Sequence, residues 1–166
     1  MNTYRVLMVE DSPLVAEGIV MMLSHHKNSI CFNVTEVSSI RDCLSHLEYH
    51  SYHIILLDLN LSNGKGLFTF LRIYEAANKN VGTPFEDRTP IVVLTGDDSV
   101  DYSDVIRRGA RDFISKPVSQ ADLVQRLHTA ILLFPYKRLE ELHESIEGTI
   151  LKARQDVEEL EKKKPS

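Results

Sequence analysis

The feature that most constrains this chain is a repeated exchange between short apolar runs and segments with a helical period. Five runs recur, at Tyr4 to Val9, Ile30 to Val37, His53 to Leu57, Ile91 to Leu94 and Asp112 to Ser115. The first, third and fourth lack a polar face, as strands covered on both sides do, whereas the second alternates. Ser12-Pro13 opens the first helical segment with a capping-type residue followed by Pro at the first helical position, and Val15, Ile19, Met22 and Leu23 share its apolar stripe. Ser38-Ser39 precede a second segment carrying Ile40, Cys43, Leu44 and Leu47. Leu67, Phe70, Leu71 and Tyr74 mark a third, Tyr102, Val105 and Ile106 a fourth, and Leu123, Leu127, Ile131 and Phe134 a fifth. Five strands alternating with five helices predict an α/β fold, a doubly wound five-stranded parallel sheet with helices on both faces. The 166 residues suit one such domain over 1–135 with an appendage at 136–166.

Composition narrows the function. Lys and Arg total 19 against 24 Asp and Glu, a net charge of −5, which gives no electrostatic footprint for direct nucleic-acid binding. The longest apolar runs, Ile19 to Leu23 and Ala130 to Phe134, fall far short of the roughly 20 residues of a membrane span. Cys31 and Cys43, the two cysteines, have no metal-ligand spacing and suit a reducing compartment. With an N-terminus unlike a signal peptide, these features lead us to expect a soluble cytoplasmic protein.

In sheets of this kind ligands bind beyond the carboxyl ends of the strands. The residues at or just past those ends are Glu10-Asp11, Asp58, Thr95 and Lys116, from four separate stretches of sequence. Three neighbouring carboxylates repel one another, and a hard divalent cation such as Mg²⁺ relieves that repulsion while keeping open positions for water and phosphate oxygens. Asp11 can alternatively cap the helix that starts at Ser12-Pro13, but the residues after Asp58, Leu59-Asn60-Leu61, do not read as a helix start. Lys116 supplies a compact positive charge for a phosphoryl group or for Asp58 itself, and Thr95 a hydroxyl. Together they describe a carboxylate nucleophile, Asp58, that accepts a phosphoryl group while its surroundings neutralise the equatorial oxygens.

In this order the residues resemble a response-regulator receiver domain of two-component signalling. The run Gly109-Ala110-Arg111-Asp112-Phe113-Ile114-Ser115-Lys116-Pro117 is similar to that family's Gly-Ala-x-Asp-aromatic-aliphatic-x-Lys-Pro signature, and Gly66 matches the glycine that opens its third helix. The resemblance covers about residues 3–134 and implies a flavodoxin-like sheet of strand order 2-1-3-4-5. It also implies that Asp58 is the phosphoacceptor, that Asp11 and Asp58 ligate Mg²⁺ with Glu10 acting nearby, often through water, and that Asn60 offers its backbone carbonyl. Thr95 and Lys116 would bind the phosphoryl group, Phe113 would be the aromatic switch residue, and the Lys116-Pro117 bond would be cis. The implied partner is a sensor histidine kinase or phosphotransfer protein, and the chain is then a phosphoacceptor rather than an enzyme. Two departures stand out. Ser62 occupies a position where the family commonly has Pro, implying a less rigid loop, and 78–89 reads as an insertion.

Competing readings fit less well. A haloacid-dehalogenase-like phosphatase needs an acid/base two residues after its nucleophile, where this chain has Asn60. A dinucleotide-binding enzyme needs a Gly-rich turn after the first strand, where Glu10-Asp11 would repel pyrophosphate. His46 and His50 share a helical face beside His53, but no Cys or carboxylate completes an obvious ligand set, so a solvent-facing cluster is the simpler expectation. From Tyr136 onward seven basic and eight acidic side chains surround Leu139, Leu142, Ile146, Ile150, Ala153, Val157 and Leu160, one face of a long helix. That stripe predicts a C-terminal helix that pairs with a second copy as a parallel coiled coil, giving a homodimer; folding against the domain is the alternative. The chain is then a stand-alone switch or the input module of a longer protein with a kinase or nucleotide-cyclase output.

Overall fold

The computed structural model describes residues 2–24, 30–62, 66–78, 89–96, 101–132 and Lys152. Strands β1 (Asn2–Val9), β2 (Ile30–Val37), β3 (Ile54–Leu57), β4 (Ile91–Thr95) and β5 (Asp112–Ser115) alternate with helices α1 (Pro13–Ser24), α2 (Ile40–Tyr49), α3 (Gly66–Ala77) and α4 (Tyr102–Arg107). A fifth helix, α5, occupies 120–132. The sheet is parallel throughout, in the order β2-β1-β3-β4-β5. This is the doubly wound parallel sheet expected from the alternation of runs, in the flavodoxin-like order that the family resemblance implies. The elements belong to one compact unit, Met1–Leu132. No helix among the described residues is long and apolar enough to cross a membrane. The expected C-terminal coiled-coil helix and most of 78–89 lie outside the described residues.

Strand periodicity explains the unbroken apolar runs. Successive side chains point to opposite faces. Val6, Met8, Ile54, Leu56, Val92 and Leu94 therefore join a core with α1 and α5. Leu7, Val9, Ile55, Leu57, Ile91 and Val93 join a second core with α2, α3 and α4. Both faces are covered, so β3 and β4 are buried at every position. The edge strand β2 keeps the looser pattern seen in its sequence. Ser39 caps α2, its Oγ accepting from the Asp42 N–H at 3.1 Å.

Two glycines show how differently the backbone uses this residue. Gly109, in the α4–β5 turn, has φ +108, and a Cβ there would lie 2.9 Å from a ring carbon of Tyr74 on α3. Gly18 sits inside α1, and beyond its chain neighbours and the helix's own backbone no heavy atom of the described residues lies within 4 Å of the corresponding point. Gly109→Ala is expected to destabilise the fold by about 1–3 kcal/mol through backbone strain and collision with Tyr74. Gly18→Ala should stabilise it by about 0.5–1 kcal/mol by removing helix-interior backbone entropy. Urea unfolding of the two variants checks both signs, and two shifts of the same sign would contradict the assignment.

Candidate functional site

The register of the sheet brings the strand ends together. Val9 pairs with Val37 on one side and Leu57 on the other, and the ladder continues one residue further. The Glu10 N–H donates to the Val37 carbonyl at 3.1 Å, the Asp58 N–H to the Val9 carbonyl at 3.0 Å, and the Lys116 N–H to the Thr95 carbonyl at 2.9 Å. Glu10, Asp58 and Lys116 thus leave the sheet as backbone-anchored residues rather than as free loop positions.

Their side chains meet. Lys116 Nζ donates to Glu10 Oε2 and to Asp58 Oδ2, each at 2.6 Å. Glu10 and Asp58 are almost wholly buried, at 6% and 7% exposure. The remaining carboxylate oxygens accept from backbone: Glu10 Oε1 from the Ser12 N–H at 3.0 Å and Asp58 Oδ1 from the Asn60 N–H at 2.8 Å. Asp11 Oδ2 accepts from the Ser62 N–H at 2.7 Å. Asp11 and Asp58 therefore grip the same 58–62 loop from two strands. Thr95 is buried at the end of β4, and the Lys116–Pro117 bond is cis.

The electrostatics follow from these contacts. Burial is the largest influence on the Lys116 ammonium and works to lower its pKa. The hydrogen bonds to Asp58 and Glu10, with their charges, together outweigh it and hold the group above its ordinary value. A lysine raised in this way stabilises the fold fully at pH below the ordinary lysine range, and that contribution is lost as pH rises through the folded value. Asp11 is held below the usual carboxylate range by the hydrogen bonds of Ser62, side chain first and then backbone.

Three carboxylates share this end of the sheet with one ammonium, an excess of two negative charges close to or inside the protein surface. That donor set suits a hard divalent cation, which needs only one or two protein carboxylates and takes its other ligands from carbonyl, water and phosphate oxygens. Among the described residues no group of three or more His, Cys, Asp or Glu side chains is arranged to enclose a metal by itself. Asp11, Asp58 and the Asn60 backbone are the residues that could hold such an ion.

Phe113 is half-buried on β5, its ring edge-on to Tyr102 of α4 with centroids 5.7 Å apart. The sequence reading missed what fixes this strand. Arg126 on α5 donates through Nη1 to the Phe113 carbonyl at 2.9 Å and pairs with Asp112 at 3.2 Å. Only the Arg126–Asp122 pair, at helical i,i+4 spacing, was open to a sequence argument. Also unforeseen was that Glu10 shares Lys116 with Asp58.

The chain matches the family model of the response regulator receiver domain over residues 6–128. It belongs to that family. The receiver is 30% identical over 128 residues to the cell cycle transcriptional regulator CtrA of Caulobacter vibrioides, covering 76% of this chain and 50% of that one. It is 31% identical over 130 residues to the cell cycle response regulator CtrA of Brucella ovis, with the same coverage. The chain thus spans about half the length of these curated relatives. Among solved structures, it resembles the signal receiver domain of a Luxo repressor protein from Vibrio parahaemolyticus, with TM-score 0.66 and 26% identity over 84% of this chain and 98% of that one. A CheY-like receiver domain from Methanospirillum hungatei shares the fold, with TM-score 0.66, 18% identity and coverage of 82% and 99%. Receiver domains of response regulators are signalling domains of two-component systems rather than turnover enzymes.

Ser62 carries a specific consequence. A proline at this position has no N–H to give Asp11. Because the folded Asp11 is more acidic than in the unfolded chain, its hydrogen bonds stabilise the fold above the ordinary Asp value of about 3.9 and are lost as pH falls through the lower folded value. In metal-free protein, Ser62→Pro is expected to move the Asp11 titration up toward its ordinary value, read by carboxyl-carbon NMR. An unmoved titration would show that Ser62 does not set it.

Proposed function

We propose that this receiver accepts a phosphoryl group on Asp58 from a sensor histidine kinase or phosphotransfer protein in the cytoplasm. The observation that carries the reading is the Lys116 ammonium held 2.6 Å from both Glu10 and Asp58 at the strand ends. An Asp58 carboxylate oxygen attacks phosphorus, and the donor's imidazole nitrogen leaves with the electron pair of the broken phosphorus–nitrogen bond. The product is an aspartyl phosphate. Bound Mg²⁺ would supply charge neutralisation for the phosphoryl oxygens, held by Asp11, Asp58 and the Asn60 carbonyl with Glu10 nearby. Lys116 exchanges its bond to Asp58 for one to a phosphoryl oxygen, and the Thr95 hydroxyl donates to another. The Asn60 N–H keeps the Asp58 carboxyl oriented.

Phosphorylation then acts on the face built by α4, β5 and α5, with Thr95 and Phe113 as the switch pair. Phe113 on β5 lies against Tyr102, and Lys116 lies just past the end of that strand, so a change at the pocket reaches this face within a few residues. The output is exerted through protein contacts and through a homodimer built on the helix of 136–166, with no direct contact to nucleic acid or membrane. The half-length match to relatives named as regulators favours a second reading, in which this receiver is the input module of a longer protein. Kinase, nucleotide-cyclase and transcriptional outputs are then the candidates.

Incubation with a radiolabelled small phosphodonor and Mg²⁺ should label the chain in a hydroxylamine-labile form. Asp58→Asn should abolish the label, and Lys116→Met should slow labelling by about a hundredfold. Undiminished label on Asp58→Asn would overturn the assignment. For the dimer, sedimentation of the full chain and of a chain ending at Phe134 should give a dimer and a monomer; two monomers would remove the coiled coil.

A further inference from the structure

At the end of the sheet opposite the acidic pocket, the last turn of α2 and its C-cap residue bring two imidazoles side by side. His46 and His50 are four residues apart, and the His50 N–H closes the turn on the His46 carbonyl at 2.9 Å. Their ring centroids lie 5.7 Å apart with planes inclined by 39°. Two imidazoles bound to one tetrahedral ion with metal–nitrogen distances of about 2 Å hold their centroids about 5 Å apart, a spacing close to the one observed.

The second observation is the hydrogen bond behind the first ring. His46 Nδ1 lies 3.0 Å from the Tyr52 hydroxyl, and that hydroxyl accepts when Nδ1 carries the proton. Nε2 is then the deprotonated nitrogen, with its lone pair free for a metal. Ligating histidines are oriented in just this way, by a polar partner on the nitrogen that does not bind. His50 is exposed. Beside it, Glu48, His50 and Tyr52 line a cleft of about 390 Å³ with room for water ligands.

We propose that His46 and His50 form a two-histidine site for a borderline transition-metal dication of the Zn²⁺ class, completed by water and positioned by Tyr52. Imidazole nitrogen favours Zn²⁺, Ni²⁺ and Cu²⁺ over the hard ions suited to the carboxylate pocket, so the two ends of the sheet select different metals. The ion would brace the last turn of α2, which the His46–Tyr52 contact already joins to the segment that enters β3. The site is independent of the phosphorylation reading, since it shares no residue with the Asp58 pocket.

Isothermal titration of the untagged full chain with zinc chloride, in excess Mg²⁺ to occupy hard-cation sites, tests this directly. Wild type should bind one equivalent in the micromolar range at this site. His46→Gln, His50→Gln and the double variant should each lose that equivalent, while His53→Gln and Asp58→Asn keep it. Tyr52→Phe should weaken binding by about tenfold, the effect of losing an orienting partner. Both histidines are at least partly exposed, so the variants keep the fold and a lost equivalent reports ligation. Zinc binding unchanged in the double variant, or displaced by Mg²⁺, would overturn the proposal.

Discussion

The shared ion pair of Lys116 with Glu10 and Asp58 is the constraint on which the rest of this structure turns. Two carboxylates with almost no solvent contact cannot remain ionised side by side without compensation, because burial penalises charge strongly in a low-dielectric site. The ammonium meets both, and the backbone N–H groups of Ser12 and Asn60 meet their second oxygens. That arrangement needs residues from three strands to end at the same height. A parallel sheet delivers this, since β1, β3 and β5 all point the same way and their last ladder bonds fix the next residue.

The same geometry links the pocket to the surface. Lys116 leaves β5 one residue after Ser115, and Phe113 stands two residues before that on a strand of four. Arg126 fastens the strand to α5 through the Phe113 carbonyl, while Tyr102 packs its ring against Phe113 from α4. On the other side, Tyr74 fills the space that Gly109 leaves open and ties the α4–β5 turn to α3. In the proposed switch a change in the charge held by Lys116 therefore acts on a strand clamped by two helices and entered through a turn that a third holds. Such a strand favours discrete alternatives over gradual deformation.

Much of this was legible in the sequence. Unbroken apolar runs at β1, β3 and β4 reflect a sheet covered on both faces, and locating their ends located Glu10, Asp58 and Thr95. What escaped depends on side-chain direction across distant segments. The double contact of Lys116 is separated by 106 residues on the Glu10 side, and no local pattern encodes it. Ser62 was read as a loss of loop rigidity where proline is common. What that reading did not foresee is that its N–H gives Asp11 a hydrogen bond that proline could not provide. Arg126 and Tyr74 carry ordinary helix-face spacing, and their contacts to Phe113 and Gly109 emerge only once the helices are laid on the sheet. The imidazole pair of α2 was visible as spacing, but the Tyr52 hydroxyl behind it was not.

The most direct test of the charge balance is the stability of Lys116→Met in chelator and then in Mg²⁺, followed by urea unfolding at neutral pH. Removing the shared ammonium leaves buried carboxylates unpaired and should cost about 1–3 kcal/mol in chelator, below the loss expected for a fully buried pair because Lys116 keeps some solvent contact. Added Mg²⁺ should restore more stability to the variant than to wild type, since binding to the folded state alone raises its stability. A variant as stable as wild type in chelator, with no greater response to Mg²⁺, would contradict the account.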